Sequence, residues 1–134
     1  MAEDLKTWLT RLEEEIWGQG NLNAIDELFA PDYIGHYPYT SEQSGTELLK
    51  CFAAVVHSAF SDISYTIHET ILEGDRAVQR WTLQGVHQEE FMGITPKQCR
   101  IALPGITILR LGDKGKVVEV WSCWDRMAVM EQLQ

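Results

Sequence analysis

After Phe60 the apolar period of this chain changes, and that change restricts its fold more than any other feature. Upstream, apolar residues recur at three- and four-residue steps. Leu5, Trp8, Leu9, Leu12 and Ile16 make one set, Leu22, Ile25, Leu28 and Phe29 a second, and Leu48, Leu49, Phe52, Val55, Val56 and Phe60 a third. Downstream, Ile63, Tyr65, Ile67 and Ile71 are interleaved with Ser64, Thr66, His68 and Thr70. A 3.6-residue period lays an apolar stripe along a helix, whereas a period of two gives a strand one buried and one solvated face. Three helices followed by strands argue an α+β fold.

Local signals divide these regions. Gly18 and Gly20 end the first helix, Asn21 can cap the second, and Pro31 ends the second. Residues 32–37 are a short extended piece, and 40–45 a polar loop in which Ser44 and Glu47 fit a capping box for the third helix. The strand from Ile63 to Ile71 is followed by three more, at 77–87, 100–111 and 116–124, with turns at 73–76 and 112–115 and a loop at 88–97. Gly112 and Gly115 allow the positive φ of a tight hairpin. Met127, Met130 and Leu133 mark a short closing helix. Strands of about ten residues twist strongly. The expected sheet is therefore an antiparallel meander curled around the helices into a half-open cone, with an apolar small-molecule pocket at its open end.

The 134 residues contain no repeat or linker and are read as a single domain over 1–134. A net charge of −9 repels phosphate backbones and anionic lipid, so neither nucleic acid nor membrane is expected as a partner. Cys51, Cys99 and Cys123 are far apart and odd in number, which argues against a disulfide framework and fits a reducing compartment. Glu3 and Asp4 stand where a secretory signal would carry positive charge, and no apolar run approaches the ~20 residues of a membrane span. The expectation is a soluble cytoplasmic protein. Four scattered histidines without ligand spacing predict no metal, and the chain has no P-loop, dinucleotide glycine pattern or nucleophile elbow.

A set of short pieces in fixed order resembles a known family. The pieces are Trp17-Gly18-Gln19-Gly20-Asn21, Pro31-Asp32-Tyr33 with His36, Gly74-Asp75-Arg76 before Trp81, Gly85-Val86-His87, and Phe91-Met92-Gly93-Ile94 with Pro96. Ile108 to Arg110 before a glycine turn, Trp121 to Asp125, and Gln132-Leu133 complete it. Together they are similar to the polyketide cyclase-like branch of the nuclear transport factor 2-like superfamily, called SnoaL-like or ester cyclase-like. The resemblance implies a cone-like curved antiparallel or mixed sheet wrapped on three N-terminal helices, an α+β barrel with a short C-terminal helix. It also implies an apolar pocket, no cofactor and a homodimer. Cyclases of this family look as if they use an aspartate as acid/base, in an Asp-x-x-Asp pattern at the end of the last strand. The second acid matches Asp125, and Ser122 stands where the first would be.

The expected catalytic residues are His87, Asp125 and His36. His87, at a strand end, reads equally as a base or donor to a carbonyl, where the resemblance often has a histidine, and as a satisfied polar group at the sheet edge; His36 reads as a pocket neighbour by the resemblance or as a loop histidine, the latter slightly preferred. Asp125 reads either as a base at the pocket rim or as the N-cap of the closing helix, the cap being preferred. Ser122, Trp121, Trp124, Trp81, Phe91, Met92 and Tyr37 are the expected substrate-binding set. Alternation leaves open which face of the last strand looks inward; the resemblance favours that of Ser122. His57, His68 and the acidic run Glu13 to Glu15 read as solvated. The expected function is cofactor-free acid/base chemistry on a small apolar carbonyl compound, as a cyclase, isomerase or lyase. The alternatives are a non-catalytic binding protein for a hydrophobic small molecule and a dimeric interaction module.

Overall fold

In a computed structural model, which describes residues 2–37, 43–91, 93–113 and 115–133, the chain forms a curved six-stranded sheet packed on its helices. Helix α1 (Ala2–Arg11) runs directly into a π-helical segment, Leu12–Gly18, and α2 (Asn23–Leu28) follows. Strand β1 (Phe29–His36) and a two-residue β2 (Gln43–Ser44) precede α3 (Glu47–Ala59). Then come β3 (Phe60–Glu73), β4 (Arg76–His87), β5 (Arg100–Leu111), β6 (Val117–Trp124) and α4 (Arg126–Gln132). The strand order is β2-β1-β6-β5-β4-β3. The expected antiparallel meander of four strands is present, and β1 adds a parallel neighbour to β6, making the sheet mixed.

Several expectations are corrected in detail. The extended piece expected at 32–37 begins at Phe29, so Phe29 and Pro31 lie in β1 rather than ending a helix. The capping box at Ser44 and Glu47 does not form: Ser44 pairs with Ile34, and Thr46 is the N-cap. Thr40 to Glu42 of the expected polar loop lie outside the described residues. In α3 the buried stripe is Leu49, Ala53 and Val56, while Leu48 and Val55 are exposed. A bulge between Ile67 and Glu69 in β3 shifts the alternation, which turns Ile71 outward, 57% exposed. In α4 Val129 is buried, as is Leu133 just past the helix end, one turn on, and Met127 is exposed. At the β5–β6 turn, Gly115 has φ +77°, whereas Gly112 is needed for space: a Cβ there would lie 2.6 Å from Val118 Cγ1. No helix among the described residues is long and apolar enough to cross a membrane.

The core has two parts. One joins Leu9, Leu12, Ile16, Ile25 and Leu28 of the N-terminal helices to β1, Ala77, Leu109 and Val120. The other joins Val56 of α3 and Val129 and Leu133 of α4 to Trp81, Phe91, Ile101 and Leu103. A hollow lined by residues of both parts lies against the sheet.

Candidate active site

The hollow is walled by the π segment, α3 and the inner faces of β3 to β6, and has a cavity volume of about 80 Å³. A single buried water needs roughly 10–15 Å³ on that measure, so the space suits a small organic molecule. Its walls are mainly apolar, among them Ile16, Phe52, Phe60, Leu83, Leu103 and Val120. The residues with polar side-chain groups along it, tryptophans apart, are few: Glu13, Tyr65, Thr107, Ser122 and Tyr37.

Glu13 is the unexpected member. Far from lying on a solvated face, it is 2% exposed and lines the hollow. Its place follows from helix geometry: residues 9, 12, 13 and 16 fall on one stripe at steps of three and four, and Leu9, Leu12 and Ile16 are all buried. The acid therefore occupies the middle of an apolar face. The π turn carries this stretch, with Gln19 N–H bonding back to Glu14 O at 2.9 Å. Such turns are frequent at functional sites. The same periodicity that located the helix could have identified Glu13.

Desolvation pushes the Glu13 carboxyl up to about 8 from its ordinary 4.5, and a hydrogen bond from the Tyr65 hydroxyl offsets part of that rise. Its Oε2 is buried and without a protein partner. The Tyr65 hydroxyl is itself pushed well up, by burial first and then by the neighbouring Glu13. At neutral pH Glu13 is thus mostly a neutral acid facing an apolar space, with its ionised form a minor but accessible species.

A second polar group lies on the sheet. The Tyr65 ring stacks on Trp81 at 5.2 Å between centroids. Trp81 Nε1 donates to Thr107 Oγ1 at 2.8 Å, and that oxygen lies 3.2 Å from Ser122 Oγ. Thr107 and Ser122 are direct cross-strand partners, as are Trp81 and Gly105. A Cβ at position 105 would fall 2.2 Å from the Trp81 ring, so glycine there is what lets the indole lie flat across β5 and reach Thr107.

The expected site residues divide between two faces. Ser122, Trp124, Trp81, Phe91 and Tyr37 line the hollow, with Trp124 stacked on Phe52 and the Tyr37 hydroxyl 3.3 Å from that of Tyr33. Met92 lies outside the described residues. Trp121 stands on the opposite face of β6, where His36 stacks on it at 5.3 Å and the Arg76 guanidinium lies 5.6 Å from its ring. His36 Nε2 is 2.9 Å from Glu119 Oε2, and Arg110 donates to Glu119 Oε1 at 3.0 Å. These partners, His36 first, hold the Glu119 carboxyl below its usual range. His36 and Trp121 therefore belong to an outer cluster.

Asp125 is exposed, and its Oδ1 accepts from Met127 N–H at 2.9 Å, the N-cap of α4. His87 is fully buried under Phe60, and it does not line the hollow. Its Nδ1 accepts the Lys97 N–H at 3.2 Å, so the proton of the neutral ring lies on Nε2, which has no protein partner. His57 is half-buried against the Ile16 carbonyl at 3.0 Å, contrary to a solvated reading, whereas His68 is exposed and pairs with Thr82. No group of three or more potential metal ligands occurs among the described residues.

The family model for SnoaL-like polyketide cyclases matches residues 7–133. Solved structures share the fold. A candidate SnoaL-like polyketide cyclase from Jannaschia sp. CCS1 is 26% identical over 95% of this chain and 89% of its own, with a TM-score of 0.85. AclR, a candidate hydroxylase from Streptomyces galilaeus, is 27% identical over 98% and 96%, with a TM-score of 0.85. IdmH, a candidate polyketide cyclase from Streptomyces antibioticus, is 26% identical over 96% of each chain, with a TM-score of 0.82. No curated relative matches the chain at a significant level.

Proposed function

From the premise that the chain belongs to the SnoaL-like polyketide cyclase family, we propose that it is a cofactor-independent acid/base enzyme acting on a small, largely apolar carbonyl compound, with Glu13 as the proton-transfer group. The observation that carries this reading is a buried carboxyl with a free oxygen in an apolar hollow, pushed up to about 8. A base is most effective when it titrates near the working pH, and few other arrangements bring a glutamate there. In the reaction, ionised Glu13 removes a proton from the carbon next to the carbonyl. The C–H electron pair becomes the C=C bond of an enolate, and the carbonyl π pair moves onto oxygen. Return of the proton elsewhere gives an isomerase; attack of the enolate carbon on a second carbonyl gives a cyclase; loss of a leaving group gives a lyase.

On this reading Glu13, which lines the same hollow as Ser122, takes the acid/base role, and Ser122 stands where the family resemblance would put an aspartate. A serine hydroxyl does not accept a proton near neutral pH without a neighbouring base. The open hollow supports a small-molecule site over an interaction module, whose own side chains would fill it.

The test is hydrogen–deuterium exchange at the α carbon of 2-tetralone, a small apolar ketone, followed by NMR. The wild type accelerates exchange, and Glu13→Gln lowers the enzymic rate by about 10²–10⁴-fold. A ketone that binds but exchanges no faster than in buffer would make the protein a carrier. The proposal extends to a homodimer, supported by the exposed Ile71 and Ile106 on the outer face of the sheet. Sedimentation at micromolar concentration should give twice the 15.3 kDa chain mass; a monomer would rule the dimer out.

A further inference from the structure

We infer that Trp81, Thr107 and Ser122 form a directed hydroxyl relay that ends in a hydrogen-bond donor for the substrate's carbonyl oxygen, on the sheet side of the hollow. The inference rests on the proton-transfer reading above and adds what holds the substrate in place. Its direction follows from hydrogen-bonding capacity. An indole N–H only donates, so the Thr107 oxygen must accept at 2.8 Å. Thr107 is buried, and its own proton needs an acceptor, because an unsatisfied buried hydroxyl is costly. The other buried acceptor on β4, Gln79 Oε1, which belongs to Thr107's cross-strand partner, has no donor, so the Thr107 proton does not go there. Ser122 Oγ, on the direct cross-strand partner, lies within hydrogen-bonding reach at 3.2 Å, and we assign the Thr107 proton to it. Ser122 then keeps its proton for the hollow, which it lines. Each donated bond polarises the next hydroxyl, so the terminal donor is stronger than an isolated serine.

The relay is also built rigidly. Gly105 leaves the room that the Trp81 indole occupies, and Tyr65 stacks on the indole. Because Tyr65 also bonds Glu13, one aromatic ring ties the proton-transfer group to the relay. A carbonyl compound lying between them would place its oxygen on Ser122 and an acidic α C–H toward Glu13. The substrate class that fits is therefore an enolisable ketone or ester with one anchoring oxygen and an apolar remainder. Ser122 would touch the substrate, whereas Thr107 and Trp81 are positioning residues.

The experiment is infrared spectroscopy of 2-tetralone with an isotope-labelled carbonyl, bound to the protein. In the wild type the C=O stretch should lie below its position in hexane, as hydrogen bonding requires. Ser122→Ala should return it toward the hexane value and slow α-carbon exchange on the order of 10²-fold, the loss typical of one oxyanion donor. Ser122→Thr should restore both. Thr107→Val, which keeps the volume and removes the relay, should weaken the shift with Ser122 still present; Glu13→Gln should leave the shift in place while abolishing exchange. An unshifted carbonyl in the wild type, or a shift indifferent to both Ser122→Ala and Thr107→Val, would overturn the relay and leave the Glu13 reading standing. Exchange unaffected by Glu13→Gln alongside a normal carbonyl shift would do the reverse. A ketone that leaves no bound band at all would remove both.

Discussion

Replacing Glu13 by glutamine should make the protein more stable at neutral and alkaline pH, by an amount that grows with pH. Glutamine keeps the shape and still accepts the Tyr65 bond, but it cannot ionise. In the folded protein the carboxyl stands at about 8 against an ordinary 4.5. The folded state therefore holds a proton that the unfolded chain releases between those values, and stability falls as pH rises through that window. At 1.36 kcal/mol per pH unit, the wild type loses roughly 5 kcal/mol across it, and roughly 3 kcal/mol by pH 7. This is large beside a typical total stability of about 5–15 kcal/mol. The assay is urea unfolding of both proteins, followed by tryptophan fluorescence, between pH 4.5 and 8.5. Taking the difference between them cancels the other titrating groups. The extra hydrogens of the glutamine amide add an offset that does not change with pH. The variant's advantage should climb from pH 4.5 and level off above 8. A difference that stays flat would mean that Glu13 is ionised in the folded state, and the argument from burial would fail.

Other consequences follow from the same geometry. Wild-type exchange at the 2-tetralone α carbon should rise with pH and level off above about 8, because the carboxylate is the active form; a falling profile would make Glu13 an acid instead. Gly105→Ala should force the Trp81 ring aside, lower stability by about 1–3 kcal/mol and cut ketone binding, as measured by unfolding and by calorimetry. Leu133→Ala, which empties a fully buried site between α4 and the sheet, should cost about 2–5 kcal/mol in urea unfolding. Asp125→Ala should cost about 1 kcal/mol and increase amide exchange in the first turn of α4, the signature of a lost cap.

Much of the architecture was legible because it rests on periodicity. The switch at Phe60 located the boundary between helices and meander, and the extent of β5 was read to the residue. What was missed has physical reasons. The pairing of β1 with β6 is a long-range parallel contact, and nothing local to residues 29–36 encodes its partner. The bulge after Ile67 shifts the alternation by one, so Ile71 could be placed only by knowing the ladder. Leu48 and Val55 belong to the apolar count of α3 but fall outside its buried stripe. At the site, Ser122, Trp81, Phe91, Tyr37 and Trp124 were legible as aromatic or polar residues on inward strands or near the rim. Trp121 was not, since its face depends on the register of β6 against β5. Glu13 was misread because a run of three glutamates suggests solvent. Its neighbours Leu9, Leu12 and Ile16 carried the better information: an acid in the middle of an apolar stripe breaks the local pattern, as functional or strained sites do.

Glu13 as a neutral acid in an apolar hollow is the central claim, and its titration measures that directly. With glutamates labelled at the side-chain carboxyl carbon, NMR across pH 3 to 10 should give one resonance with a midpoint near 8, absent from the spectrum of Glu13→Gln. If every glutamate, Glu13 included, titrates in the usual carboxylate range, burial does not hold Glu13 near the working pH, and the proposed assignment of it as a tuned base fails.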